Sequence, residues 1–265
     1  MCRAALESED GAVKAEAVND GIVYLMAIPY ILVAALGYYI YKTRKKEAKN
    51  KLDATEQDLA RIEDLLFEHH NAKLATDNLE ADDWLSIDSF TAFKEWNKTK
   101  SQKDRLIVVA EDKDARQTEG HLFNPNDMIL PMTIKGLGKL EWKGTTSKPT
   151  LTGHGRMWLY AQIVNGDAAD NYKPSALTKA RFGDVACYKL LAGCKTDVEA
   201  LTAVVEQYKA WYPSPVTYTS WDGKEMTKDW LGIADEMWQL AYMKRWVGDD
   251  TVFSKVIEKL GVNYE

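Results

Sequence analysis

The chain has 265 residues, of which 46% are hydrophobic and 28% charged, and it carries a formal net charge of -6. That balance excludes a disordered or fibrous chain and allows one medium domain or two small ones beside any membrane segment. The acidic excess argues against a nucleic-acid binder, which would present a basic face, so no nucleic-acid partner is expected.

Residues 1-21 read as an acidic tail, where Glu7, Glu9, Asp10, Glu16 and Asp20 outweigh Arg3 and Lys14. Residues 22-41 contain no charged side chain. At about 1.5 Å per residue they would reach across the roughly 30 Å of a bilayer core, so they are expected to form a transmembrane helix. Tyr24 at one end and Tyr38, Tyr39 and Tyr41 at the other have the placing of interfacial belts. Pro29 predicts a modest kink, and Ala34 and Gly37 offer a small-residue face for a neighbouring helix. Lys42, Arg44, Lys45 and Lys46 follow the run rather than precede it, which disfavours a cleaved signal peptide and puts the C-terminal bulk on the positive-inside face. The run has no polar or ionisable side chain other than its tyrosines, so it offers no proton relay and no haem or pigment ligand.

Residues 42-103 read as a basic juxtamembrane segment followed by amphipathic helices. Leu52, Leu59, Ile62 and Leu66 recur at helical spacing, and His69 continues their stripe. Trp84, Ile87, Phe90, Phe93 and Trp96 repeat at threes, predicting a helix with one aromatic side capped by Asp82, Asp83 or Ser86. Leu59, Ile62, Leu66, Trp84, Phe90, Phe93 and Trp96 are therefore the candidate partner interface, with core packing as the plainer account.

Residues 104-165 change to short β-like runs: RLIVVA, MILPMTIKG, KLEWKG and RMWLYAQIV, separated by turn residues. A small antiparallel sheet is expected. Gly136 and Gly138 lack the rest of a phosphate loop and read as hairpin glycines. His154, between two glycines and next to Arg156, is a candidate acid-base or anion group, with a turn histidine as the alternative.

Residues 166-265 read as helical. Thr196 and Glu199 stand at capping-box spacing, Pro213 and Pro215 mark a loop, the segment from Met226 to Gly248 carries a broad apolar stripe, and a short final helix ends at Gly261. Asp249 or Asp250 is expected to cap that helix. Trp221, Trp230, Trp238 and Trp246 read as core or interface aromatics. Cys2, Cys187 and Cys194 make neither a zinc pattern nor an even disulfide framework, and Gly193 interrupts the spacing between the last two.

The fold expected from these elements is a single-pass transmembrane α-helix followed by an α+β, mostly helical soluble domain with a small antiparallel sheet. No catalytic motif stands out, and no cofactor or metal is expected from the side chains, with peripheral pigment or lipid contacts left open. The reading is a non-catalytic accessory or linker subunit of a membrane complex, its partners the bilayer and other subunits. It would be an integral, single-pass protein with a lumenal or outer N-terminus and a cytoplasmic, stromal or matrix domain. A photosystem or other thylakoid assembly comes first and a mitochondrial inner-membrane complex second. The alternative is a membrane-tethered enzyme or ligand sensor working around His154.

Overall fold

A computed structural model describes residues 42-46, 58, 61-62, 64-65, 67-69, 75-76, 79-145, 148-178, 180-220 and 222-264. The chain divides into two units, Met1–Lys73 and Leu74–Glu265. In the first, residues 42-46 are helical and exposed, as are Asp58, Arg61, Ile62, Asp64, Leu65 and Phe67 to His69.

The expected fold class needs correction. Among the described residues no helix is long and apolar enough to cross a membrane. The longest, Ala81–Thr99, is broken up by Asp82, Asp83, Asp88, Lys94, Glu95 and Lys98. The run 22-41, with Tyr24, Pro29, Ala34, Gly37, Tyr38, Tyr39 and Tyr41, lies outside the described residues. Lys42, Arg44, Lys45 and Lys46 are solvated helical residues. With no spanning helix among the described residues, the single-pass integral localisation and its thylakoid or mitochondrial placement are not supported.

The second unit is a mixed α+β fold. Its elements are α1 (Ala81–Thr99), β1 (Ile107–Val109), β2 (Gly120–Phe123), β3 (Met132–Ile134), β4 (Lys139–Thr145), β5 (Lys148–His154) and α2 (Arg156–Asn165). They continue with α3 (Asp184–Leu191), α4 (Asp197–Trp211), β6 (Val216–Thr219), β7 (Glu225–Lys228), α5 (Trp230–Ala241) and α6 (Phe253–Lys259). The strands form three small sheets rather than one: β1-β2-β3, β4-β5 and β6-β7. The expectation of a purely antiparallel sheet also fails, because β1 pairs parallel to β2, with Ile107 opposite His121. The other pairs are antiparallel, with Gly120 opposite Ile134, Lys139 opposite His154 and Val216 opposite Lys228.

RMWLYAQIV is helical, not a strand. Met157 to Val164 are all buried in α2, and a short run apolar on every side cannot be assigned by periodicity, because a wholly enclosed helix and a wholly enclosed strand look alike. Glycines flank it on both sides. Gly155 has φ of 73°, and a Cβ there would lie 2.8 Å from the Leu137 carbonyl oxygen. Gly138, at φ of 74°, would place a Cβ 1.8 Å from the His154 carbonyl oxygen. The glycines after β3 therefore serve a turn pressed against the start of α2, and not a phosphate loop.

Around α2 pack α3, α4, α5 and the β4-β5 hairpin, giving one core that includes Leu140, Leu151, Leu159, Ile163, Cys187, Leu201, Val204, Tyr208, Ala234 and Phe253. A smaller core, Val108, Leu122 and Ile134, lies under the three-stranded sheet. Two buried tyrosines satisfy backbone carbonyls: Tyr208 donates to Ile163 and Tyr212 to Pro174.

Several helix ends are explained locally. Thr196 caps α4 by accepting from the Glu199 N–H at 3.2 Å, while the Glu199 carboxylate accepts from the Lys195 N–H at 2.7 Å. The capping-box spacing thus produces its bonds, reaching back one residue further than in the usual box. Helix α1 starts after Glu80, which makes no side-chain cap, with Asp82 and Asp83 inside its first turn. Helix α6 follows Val252 and receives its cap from α5 instead: Asp235 accepts from the Ser254 N–H at 2.7 Å and from its hydroxyl at 2.9 Å.

Gln117 ties distant segments together in the interior. Its amide donates to the Ala241 carbonyl at 2.7 Å and accepts from the Met243 N–H at 3.1 Å. Both bonds cross more than a hundred residues of chain. Gln117→Ala would leave both backbone groups buried without a partner, which costs about 2–3 kcal/mol. The urea midpoint of the variant is expected to fall accordingly, and an unchanged midpoint would contradict this account.

Candidate functional site

Where α5 ends, the sequence suggests continued helix, but the chain turns at Tyr242 into an extended loop. Asp249 organises that loop. It is buried, and its Oδ2 accepts from the Tyr242 hydroxyl at 2.8 Å and the Arg245 N–H at 3.0 Å. Its Oδ1 accepts from the Thr251 N–H at 3.1 Å and the Thr251 hydroxyl at 2.6 Å. Asp249 is thus the keystone of residues 242-251 and not a helix cap. From α1, Asp83 accepts the Lys244 N–H at 2.9 Å and fixes the other side of the loop.

The loop forms one wall of a cleft of about 630 Å³, whose other walls come from α1 (Phe90, Lys94), α2 (Arg156, Leu159, Tyr160), α4 (Asp197), α5 (Trp238) and α6 (Lys255, Val256, Lys259). Tyr242, Arg245, Trp246 and Thr251 complete it. Five cations and a single carboxylate face this space.

The carboxylate is already engaged. Arg156 Nε and Nη2 fork onto Asp197 at 2.7 and 2.8 Å, and the Tyr160 hydroxyl donates to the same carboxylate at 2.7 Å. Arg156 Nη1 also reaches Glu119 at 3.1 Å. Burial pushes the Asp197 carboxyl up, but the Arg156 and Tyr160 bonds together outweigh it and hold the group below the ordinary aspartate value. The bond to Asp197 raises the Arg156 guanidinium, and burial followed by the Asp197 charge raises the Tyr160 phenol. Arg156 is therefore a structural cation with its charge answered.

The remaining cations differ. Lys255 pairs with Asp250 at 2.6 Å, whereas Lys94, Arg245 and Lys259 have no carboxylate partner among the described residues. The Arg245 guanidinium lies 5.6 Å from the Phe90 ring centre and 5.4 Å from that of Tyr242, and Lys94 Nζ lies 4.1 Å from Phe90. Aromatic faces hold these charges in place without neutralising them. Among the described residues, Arg245 Nε–H and Trp238 Nε1–H are enclosed donors with no acceptor. Trp238 is only 2% exposed, so water does not readily satisfy its indole, and a buried donor left unpaired costs about 1–3 kcal/mol. Donor-rich, acceptor-poor and aromatic-walled, the cleft suits an oxyanion.

The residues expected to share one interface have different surroundings within their own units. Phe93 is buried and stacks on Trp96 at 5.6 Å, and Trp96 meets the His121 ring edge-on at 4.5 Å. Trp84 is half-buried and donates its indole N–H to the Thr76 carbonyl at 3.1 Å. Among the described residues of that set, Phe90 alone reaches the cleft. Ile62 is exposed in the other unit, and Leu59 and Leu66 lie outside the described residues. His154 stands on β5 opposite Lys139, with burial lowering its pKa. Its expected neighbour Arg156 is committed to Asp197 instead. Cys187 is fully buried, and burial followed by the Asp184 charge pushes its thiol up to about 12, which suits packing and not redox chemistry. Sequence reasoning missed Lys94, Arg245, Lys259 and the Trp238 indole as a site. The one available signal was Lys244-Arg245-Trp246, two cations against an aromatic, just before a glycine.

A second polar cluster lies elsewhere. Asp114, Asp167 and Asp170 each offer an oxygen within 4.8 Å of the others, but Lys113 pairs with the buried Asp167 and already supplies the positive charge there. Burial, followed by the Asp112 charge, raises Asp114 to about 6.

The chain matches no protein-family model, and neither a curated protein nor a solved structure is similar to it.

The raised Asp114 gives a pH dependence of defined sign. Below about pH 4 the group is protonated in both the folded and the unfolded chain. As pH rises from about 4 to 6 the unfolded chain ionises first, so stability attributable to this group is lost over that window. Asp114→Asn keeps an oxygen to accept from the Gln162 amide and removes the buried charge. The variant should be more stable than the parent by about 1–3 kcal/mol at pH 8, with the gain vanishing towards pH 4. Chemical denaturation across this range measures it, and a variant less stable at pH 8 would refute the assignment.

Proposed function

We propose that the unit Leu74–Glu265 is a non-catalytic binding module whose cleft between α1, α5, α6 and the 242-251 loop holds an oxyanion-bearing ligand. The observation that carries this reading is the set of lining cations without a carboxylate partner among the described residues, Lys94, Arg245 and Lys259, in a lining whose only carboxylate is already forked to Arg156. A carboxylate or phosphate would answer these charges, and the Arg245 guanidinium offers the planar fork that such groups match. Lys94 and Lys259 add charge at the rim. Nothing in the lining supplies a free general base. Asp197 is held by two donors, and the Tyr160 phenol is raised well away from neutral pH. The work supported is recognition, in keeping with an accessory or linker role that binds rather than transforms.

Inorganic pyrophosphate at low ionic strength is the simplest probe. It should bind the full chain measurably by calorimetry and raise its melting temperature. Arg245→Gln should weaken binding by about 10-fold to 100-fold, the size of a lost charge-assisted hydrogen bond. Lys94→Gln removes a lining charge that no carboxylate answers among the described residues and should cost about twofold to fivefold. Absence of binding to the parent, or equal binding by both variants, would remove the reading.

A further inference from the structure

We infer that the ligand of this cleft is a nucleotide, with its phosphate oxygens on Lys94, Arg245 and Lys259 and its planar base on Trp246. The inference rests on the oxyanion reading above and adds the body of the ligand.

Three observations lead to it. The first is charge. Three lining cations, Lys94, Arg245 and Lys259, have no carboxylate partner among the described residues, so a simple monocarboxylate would leave most of the positive charge unanswered, whereas a diphosphate brings about as many negative charges as there are free cations.

The second is the exposed indole. Trp246 is 49% exposed and borders the same cleft. Among the described residues it has no ring partner, unlike Trp238, which stacks on Tyr242 at 5.3 Å. A free aromatic face beside a cluster of cations is the combination by which a base stacks while its phosphate is held. Leu159, Val256 and Leu260 line the same cleft.

The third is size. About 630 Å³ lies within the range of small-molecule sites. Neutral side-chain donors for base edges are scarce in the lining, since Tyr160, Tyr242 and Thr251 spend their hydroxyl protons on Asp197 and Asp249. Recognition is therefore by stacking and charge, and it discriminates little between bases.

The test uses the full chain and four probes in calorimetry: pyrophosphate, ADP, GDP and adenosine. ADP should bind about tenfold more tightly than pyrophosphate, GDP within about threefold of ADP, and adenosine without saturation. Trp246→Ala should bring ADP down to the affinity of pyrophosphate while leaving pyrophosphate itself unchanged. Because Trp246 is half exposed, a melting temperature close to the parent's verifies that this variant is folded. Pyrophosphate binding that depends on Arg245, together with ADP no tighter than pyrophosphate or ADP indifferent to Trp246→Ala, would overturn the nucleotide while leaving the oxyanion site standing. Failure of pyrophosphate and ADP alike would overturn both.

Discussion

The fork between Arg156 and Asp197 is the constraint from which the architecture of the second unit follows. Arg156 is the first residue of α2, where the helix dipole is positive, so a guanidinium there is placed against the local field. Asp197 is the first residue of α4, where a carboxylate is favoured. Joining the two lets one acid answer both the misplaced cation and its own helix terminus, while Glu119 takes the remaining edge of the guanidinium. The bond fixes α2 against α4 at one end. Along the rest of α2 the packing is mostly apolar, and its polar side chains are tied individually: Trp158 donates to the Lys113 carbonyl at 3.0 Å, Gln162 to Asp114, and Asn165 to Asp184 at 2.8 Å. Within that packing the bidentate pair adds a fixed depth and rotation.

The same economy of carboxylates shapes the cleft. Asp83 accepts from the Lys244 backbone, Asp249 from Tyr242, Arg245 and Thr251, and Asp235 from Ser254. These three acids are turned onto backbone N–H groups and hydroxyls, where they order a loop or cap a helix. With Asp197 forked to Arg156 and Asp250 paired with Lys255, the side chains of Lys94, Arg245 and Lys259 are left facing the space between. A chain with a net charge of -6 thereby carries a locally positive cleft, produced by where its acids are spent and not by an excess of lysine and arginine.

Much of the helical framework was legible in the sequence because it depends on local signals. Thr196 and Glu199 bond as their spacing implies, α1 spans the aromatic repeat from Trp84 to Trp96, and β1, β3 and β4 fall within runs read as strands. What was illegible depends on tertiary context. The run from Arg156 to Val164 has no polar face to reveal its period, and it becomes a helix because neighbours enclose it. The stretch around Pro213 and Pro215 read as loop, yet Val216–Thr219 pairs with Glu225–Lys228, a register set by partners and not by composition. The stripe from Met226 to Gly248 continues past Ala241 in sequence, but Gln117, more than a hundred residues away, takes up the backbone groups of Ala241 and Met243 and draws the chain out of the helix. That long-range bond makes the 242-251 loop possible, so the site was hidden for the same reason as the helix end.

The global acidity and the local positive cleft are compatible because of screening. At physiological ionic strength a charge is felt over about 8 Å. An anion in solution therefore meets the protein's net charge only weakly until it is within a side chain's length of the surface, where Lys94 and Lys259 at the rim are the nearest charges. In the proposed anion site those exposed lysines would act through a screened field, so their contribution would fall as salt rises. Arg245, half-buried between the rings of Phe90 and Tyr242, would act by hydrogen bonds where fewer counterions reach. The rim would set how fast an anion arrives, and the guanidinium how long it stays.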